Sequence, residues 1–120
     1  MARVARISWT LAVVNMRDQR FEYYDSLRGG AGPVLQHLRR WLEDEHKDKK
    51  AGKAFDTSAF TEEVWRKGTP QQRNGWDCGV FMTRTADYLA RDAVLDFRQE
   101  DMPYLRRRMV LEILHTELLP

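Results

Sequence analysis

Residues Gln72 to Gly79, Gln-Arg-Asn-Gly-Trp-Asp-Cys-Gly, place the only cysteine of the chain where a loop gives way to a helix. Gly68-Thr69-Pro70 and Asn74-Gly75 are turn signals behind it. Ahead of it, Phe81, Met82, Ala86, Tyr88 and Leu89 recur at helical spacing. A thiol at a helix N-terminus sits at the positive end of the backbone dipole, which favours thiolate over thiol. Thiolate is the attacking form, so Cys78 has the setting of a cysteine hydrolase's nucleophile. The same residue also fits the commoner role of a small buried hydrophobe. The two readings separate only on what surrounds it.

The elements around Cys78 are legible as an alternation of periods. Ile7 to Asn15 is rich in Trp, Thr, Leu and Val and predicts a buried strand. Met16 to Gln19 is a polar turn, and Arg20 to Asp25 predicts a second strand, close enough for an antiparallel hairpin. Gly29-Gly30-Ala31-Gly32-Pro33 breaks the sheet, with Pro33 suited to the first turn of a helix. Val34, Leu35, Leu38, Trp41 and Leu42 share one face of that helix. The mixed-sign run Glu43 to Lys50 reads as a solvated helix end and loop. Phe55 to Trp65 predicts a short strand, and the Cys78 helix should end near Arg91-Asp92. Asp101 can cap a last helix that holds Pro103 in its first turn and carries a broad apolar face of Leu105, Met109, Val110, Ile113 and Leu114. Trp41 and Trp65 are expected in the core. The class is α+β.

Composition narrows the function. The chain has 120 residues, a length for at most one domain. Lys and Arg total 20 against 18 Asp and Glu, and a net charge of +2 predicts no attraction to nucleic acid or to a membrane. One cysteine cannot close an internal disulfide, which suits a reducing compartment. No apolar run approaches membrane-spanning length, and Met1 to Arg6 makes a poor signal peptide. One cysteine and three scattered histidines lack metal-ligand spacing, so no metal and no cofactor is expected. Nothing in the sequence points to oligomerisation.

Asn-Gly-x-Asp-Cys-Gly, preceded by Pro70-Gln71-Gln72, closely resembles the nucleophile loop of the SUMO-specific (ubiquitin-like-protein) proteases. Trp9-Thr-Leu-Ala-Val-Val-Asn15 and Phe21-Glu-Tyr-Tyr-Asp-Ser-Leu27 resemble the strand pair carrying that family's catalytic His and Asp. Met102-Pro-Tyr-Leu-Arg-Arg-Arg-Met-Val-Leu-Glu-Ile-Leu-His115 is similar to its C-terminal helix. Three blocks in order make the likeness specific. It implies a papain-like α+β cysteine protease fold that is incomplete: a divergent segment at residues 1–8, then the C-terminal part of a catalytic domain at 9–120. Stopping inside a strand suggests a truncated product, an alternative start or a shortened gene model, and so an exposed sheet edge or face.

The resemblance also implies roles. Cys78 matches the nucleophile, Asp25 the carboxylate that orients the catalytic imidazole, and Gln72 the oxyanion-hole amide donor, with the Cys78 backbone N–H beside it. Trp9 matches the aromatic cover of a tunnel for the modifier's C-terminal Gly-Gly, which excludes side chains. Read alone, Asp25 suits a turn, Trp9 a strand core, and Gln71 competes with Gln72. Gly75 and Gly79 are expected to permit close backbone approach. Asp77 can cap the helix, although its charge opposes a thiolate next door. The departure is Ser8, which stands where the family has its catalytic histidine. A hydroxyl is no base near neutral pH, and His37, His46 and His115 read as surface residues. The implied activity is hydrolysis after the Gly-Gly terminus of SUMO or a related modifier, whose conjugates are the expected partners. The alternative is a catalytically impaired, modifier-binding fragment. The implied location is the nucleus or the cytoplasm.

Overall fold

A computed structural model describes residues 7–120; residues 1–6, most of the segment set apart at the N-terminus, lie outside it. β1 (Leu11–Asn15) and β2 (Arg20–Tyr24) form the expected antiparallel hairpin, in register from Leu11 opposite Tyr24 to Asn15 opposite Arg20. Its turn is closed by Asn15, whose Oδ1 accepts the Asp18 N–H at 3.0 Å. Gln19 takes a left-handed φ of 52° to re-enter the sheet. The strand anticipated from Ile7 begins only at Leu11.

α1 (Val34–Lys49) follows, and β3 (Thr61–Glu63) then pairs parallel to β2, giving the order β1-β2-β3. A parallel neighbour needs a crossover, and α1 supplies it. Alternation on the hairpin puts Phe21 and Tyr23, with Ala12 and Val14 beside them, against Leu35, Leu38 and Leu42 of α1 and Phe60 of the loop before β3. Arg39 pins that loop. Its guanidinium lies 4.7 Å from the Phe21 ring centre and donates to the carbonyls of Thr57 and Phe60 at 2.6 and 2.9 Å.

A second core joins α2 (Cys78–Ala90) to α3 (Met102–His115) through Val80, Phe81, Phe97, Met102 and Leu105. Behind it Arg84 and Glu112 form a buried ion pair at 2.5 Å, and Arg108 adds a second cation to Glu112 at 3.2 Å. Burial alone pushes the Glu112 carboxyl upward, but the bond from Arg84, with help from Arg108 and the Leu119 N–H, holds it below the usual range.

Several expectations are corrected here. The charged run does not end α1, which continues to Lys49; Arg40–Asp44 and Glu45–Lys49 pair one turn apart, so the run is a solvated helix face. Trp41 and Trp65 are 54% and 68% exposed, because among the described residues no element covers the outer side of α1 or of the segment after β3. The apolar face of α3 is buried only along Met102, Leu105 and part of Met109; Val110, Ile113 and Leu114 are exposed. Asp101 sends its carboxylate back to the Arg98 N–H at 2.9 Å, closing the 3₁₀ turn Gln99–Asp101, so it does not cap α3.

Candidate active site

Cys78 is the first residue of α2, and it is 8% exposed. The loop in front of it is built to deliver that geometry. Gly68, with φ of 89°, makes a turn a side chain would strain, and the Thr69 N–H closes that turn on the Arg66 carbonyl at 3.2 Å. Gln71 is half-buried and Gln72 is buried, so burial separates the two glutamines that composition cannot. Gln72 donates from Nε2 to the Asn74 carbonyl at 2.7 Å and accepts the Ser26 hydroxyl at Oε1, while its backbone N–H reaches the Ser26 carbonyl at 3.0 Å. Ser26 follows Asp25, so Gln72 ties the end of β2 to the nucleophile loop.

Asn74 continues the chain of contacts. Its Oδ1 accepts the N–H groups of Trp76 and Asp77 at 3.2 and 3.1 Å, and its amide donates to Asp77 Oδ2 at 2.6 Å. Asp77 occupies the cap position of α2, yet its side chain makes no capping bond. The carboxylate, 3% exposed, instead receives Gln99 Nε2 at 2.9 Å and Arg106 Nε at 2.8 Å. Burial pushes this carboxyl upward, and the bonds from Asn74, Gln99 and Arg106 outweigh it, leaving Asp77 ionised well below the usual range. Among the described residues, no side chain makes a capping bond to the first-turn N–H groups of α2.

On the other side stands Trp9, 64% exposed, with its indole against the first turn of α2: a Cβ built on Gly79 would lie 3.7 Å from Trp9 Cδ1. That is ordinary contact, and a Cβ at Gly75 would meet nothing within 4 Å. Neither glycine is required by crowding, contrary to expectation. The crowded one is Gly29, where a Cβ would fall 2.4 Å from Asp25 Oδ2. Asp25 accepts the Leu27 and Gly29 N–H groups at 2.8 and 2.9 Å, one on each carboxylate oxygen, which is the turn-forming use of an aspartate. Ser8 is half-buried, and its Oγ is enclosed with no hydrogen-bond partner among the described residues. His37 and His115 are exposed, and His46 meets the Lys53 carbonyl through Nδ1 at 3.0 Å.

The segments carrying Asp25, Gln72, Cys78 and Trp9 thus converge from β2, the loop, α2 and the approach to β1. The chain as a whole is similar to known proteins. The profile of the Ulp1 protease family, C-terminal catalytic domain, matches residues 6–118. The chain belongs to this family. It is 44% identical over 111 residues to ubiquitin-like-specific protease 1A of Arabidopsis thaliana, which covers 92% of this chain and 22% of that protein. It is 35% identical over 114 residues to sentrin-specific protease 2 of Homo sapiens, 95% of this chain and 19% of that one. The C-terminal Ulp1 protease domain solved in complex with Smt3, the yeast ortholog of SUMO, superposes with a TM-score of 0.71 at 25% identity. The match takes in 94% of this chain and 49% of that one. The Ulp1-like SUMO protease catalytic domain of Chaetomium thermophilum gives 0.77 at 25% identity, over 94% and 44% of the two chains.

This Ulp1-family chain therefore spans about a fifth of its curated relatives and about half of the solved catalytic domains. Sequence reasoning assigned no side-chain contact with the loop to Ser26, Asn74, Gln99 or Arg106. Asn74 alone carried a signal, since Asn-Gly with an aspartate three residues on is turn chemistry. A cleft of about 890 Å³ lies elsewhere, between the Leu11 and Val13 face of the hairpin and the C-terminal end of α2 around Leu89.

Proposed function

We propose that this chain acts on the C-terminal Gly-Gly of SUMO or a related ubiquitin-like modifier, as the nucleophile-bearing part of a cysteine peptidase. The observation that carries the reading is Trp9 resting against Gly79, one residue from Cys78, at a helix mouth that no side chain caps among the described residues. An extended glycine tail laid under the indole brings its last carbonyl to the thiol. The Cys78 sulfur attacks that carbonyl carbon, the oxyanion is met by the Cys78 N–H and the Gln72 amide, and the amine leaves with a proton. Water then releases the modifier from the thioester. Asp25 is assigned to orient a base. Location in the nucleus or cytoplasm follows from this substrate.

Ser8 favours a second reading. With no imidazole at that position, the chain binds the tail and presents the thiol but lacks general base assistance, a factor of roughly 10² to 10⁴. The test is mass spectrometry after incubation with SUMO carrying a C-terminal electrophile. A covalent adduct lost in Cys78→Ala supports a formed tunnel and a usable thiol. Absence of the adduct in both the wild-type chain and Ser8→His would sink the proposal.

A further inference from the structure

Aspartate at a helix cap position ordinarily turns its carboxylate inward to accept the N–H of the second or third residue. In α2 that choice would put a negative charge at the helix mouth, beside the thiol and over the donors that an oxyanion needs. Asp77 does not make it. Each of its oxygens is claimed from outside the helix: Oδ2 by Asn74 at 2.6 Å and Gln99 at 2.9 Å, Oδ1 by Arg106 Nε at 2.8 Å and Nη2 at 2.5 Å. Arg106 Nη2 also reaches the Trp76 carbonyl at 3.4 Å, so one guanidinium of α3 grips the two residues before Cys78.

Arg73 of the loop pairs with Glu100 of the 3₁₀ turn, and the Asp101 carboxylate is turned to the Arg98 N–H. Arg106 is the cation in contact with the buried Asp77 carboxylate. The geometry also matters, since Nε and Nη2 of Arg106 both converge on Asp77 Oδ1, a two-donor grip that lysine, a single point charge, does not reproduce.

We propose that Arg106 is a positioning residue for Cys78: from α3 it draws the Asp77 carboxylate out of the mouth of α2 and cancels its charge beside the thiol. This rests on the reading of Cys78 as nucleophile, but its test needs no modifier. Because the chain has one cysteine, alkylation by iodoacetamide as a function of pH reports Cys78 alone. The midpoint of that profile reads the thiol's ionisation, and its plateau reads access to the sulfur.

In Arg106→Ala the midpoint rises by roughly one pH unit, so that alkylation near neutrality slows about tenfold. Arg106→Lys keeps the charge and loses the two-donor grip, giving a smaller rise. Asp77→Asn alone leaves Arg106 unopposed and lowers the midpoint, a result that stands even where Arg106→Ala folds poorly. Asp77→Asn with Arg106→Ala returns the midpoint to the wild-type value. A merely structural role for Arg106 would change the plateau and leave the midpoint in place. That outcome, or a raised midpoint that persists in the double variant, overturns the proposal. Failure of the SUMO probe to form an adduct leaves this titration intact and counts only against the substrate.

Discussion

The two sides of Cys78 are built differently. On the loop side, Gln72, Asn74, Asp77, Gln99 and Arg106 form a closed set of hydrogen bonds, and the carboxylate at its centre is buried. On the strand side, Trp9 is largely exposed and the Ser8 hydroxyl is enclosed without a partner among the described residues. The loop side rests on contacts this chain makes with itself. The strand side carries Ser8, at the position where the family resemblance puts the catalytic histidine. On the proposed reading of Cys78 as nucleophile, presenting the thiol and activating it are separable, and the loop side serves the first.

The sharpest way to break this contrast is Ser8→His. Restoring an imidazole on the strand side should raise turnover of a SUMO-linked fluorogenic amide by roughly 10² to 10⁴-fold, with little change in formation of the electrophile adduct. Equal turnover in the two proteins, with adduct formation intact, would mean that position 8 is not where the base is missing. The loop side is tested through its packing. Met102 is 1% exposed between α2 and α3, and Met102→Ala should cost about 2 to 5 kcal/mol in urea unfolding. A cost under about 1 kcal/mol would show that the α2–α3 core does not hold the loop side together.

Acid should act on the loop side and the second core as well. Against the upward push of burial, Asp77 is held below the usual carboxylate range by bonds from Asn74, Gln99 and Arg106, and Glu112 by bonds from Arg84 and Arg108. Groups depressed in the folded state contribute stability that is complete above the unfolded value, near 4, and lost as pH falls through the lower folded value. The unfolding midpoint in urea should hold steady from about pH 7 to about pH 5 and drop below about pH 4. Asp77→Asn should flatten part of that drop. An unchanged acid limb in that variant would mean that the Asp77 cluster contributes little to stability.

What was legible in the sequence was whatever local periodicity and turn chemistry decide. The hairpin, the crossover helix, the short strand and the start of α2 at Cys78 all follow from alternation, helical spacing and Gly-Pro punctuation. The end of α1 was misread, because a charged run looks like loop until its i, i+4 pairing is counted: Arg40 with Asp44, Glu45 with Lys49. Trp41 and Trp65 were misplaced for another reason. An indole's hydrophobicity says that it can be buried, but not whether an element passes over it. In the site, only likeness to the family tells Gln72 from Gln71; the structure adds that Gln72 is buried and Gln71 half-buried. Arg106 was out of reach. It lies 29 residues beyond Asp77, and nothing in the spacing of α3 marks it among the consecutive arginines 106–108.

α3 sharpens the comparison at its finest scale, because one helix holds both a buried and a bare apolar stripe. Met102 and Leu105 close the second core, while Leu114 is 72% exposed on the same helix. By spacing alone Leu114 belongs to the apolar face; by burial it stands in solvent. Leucine and lysine differ little in helix propensity, so Leu114→Lys changes neither backbone preference nor a buried contact. The expected cost in this chain is within about 0.5 kcal/mol, against about 2 to 5 for Leu105→Ala on the buried stripe. A loss above about 1 kcal/mol for Leu114→Lys would mean that the outer stripe of α3 is covered in solution, and that the loop side owes part of its stability to whatever covers it.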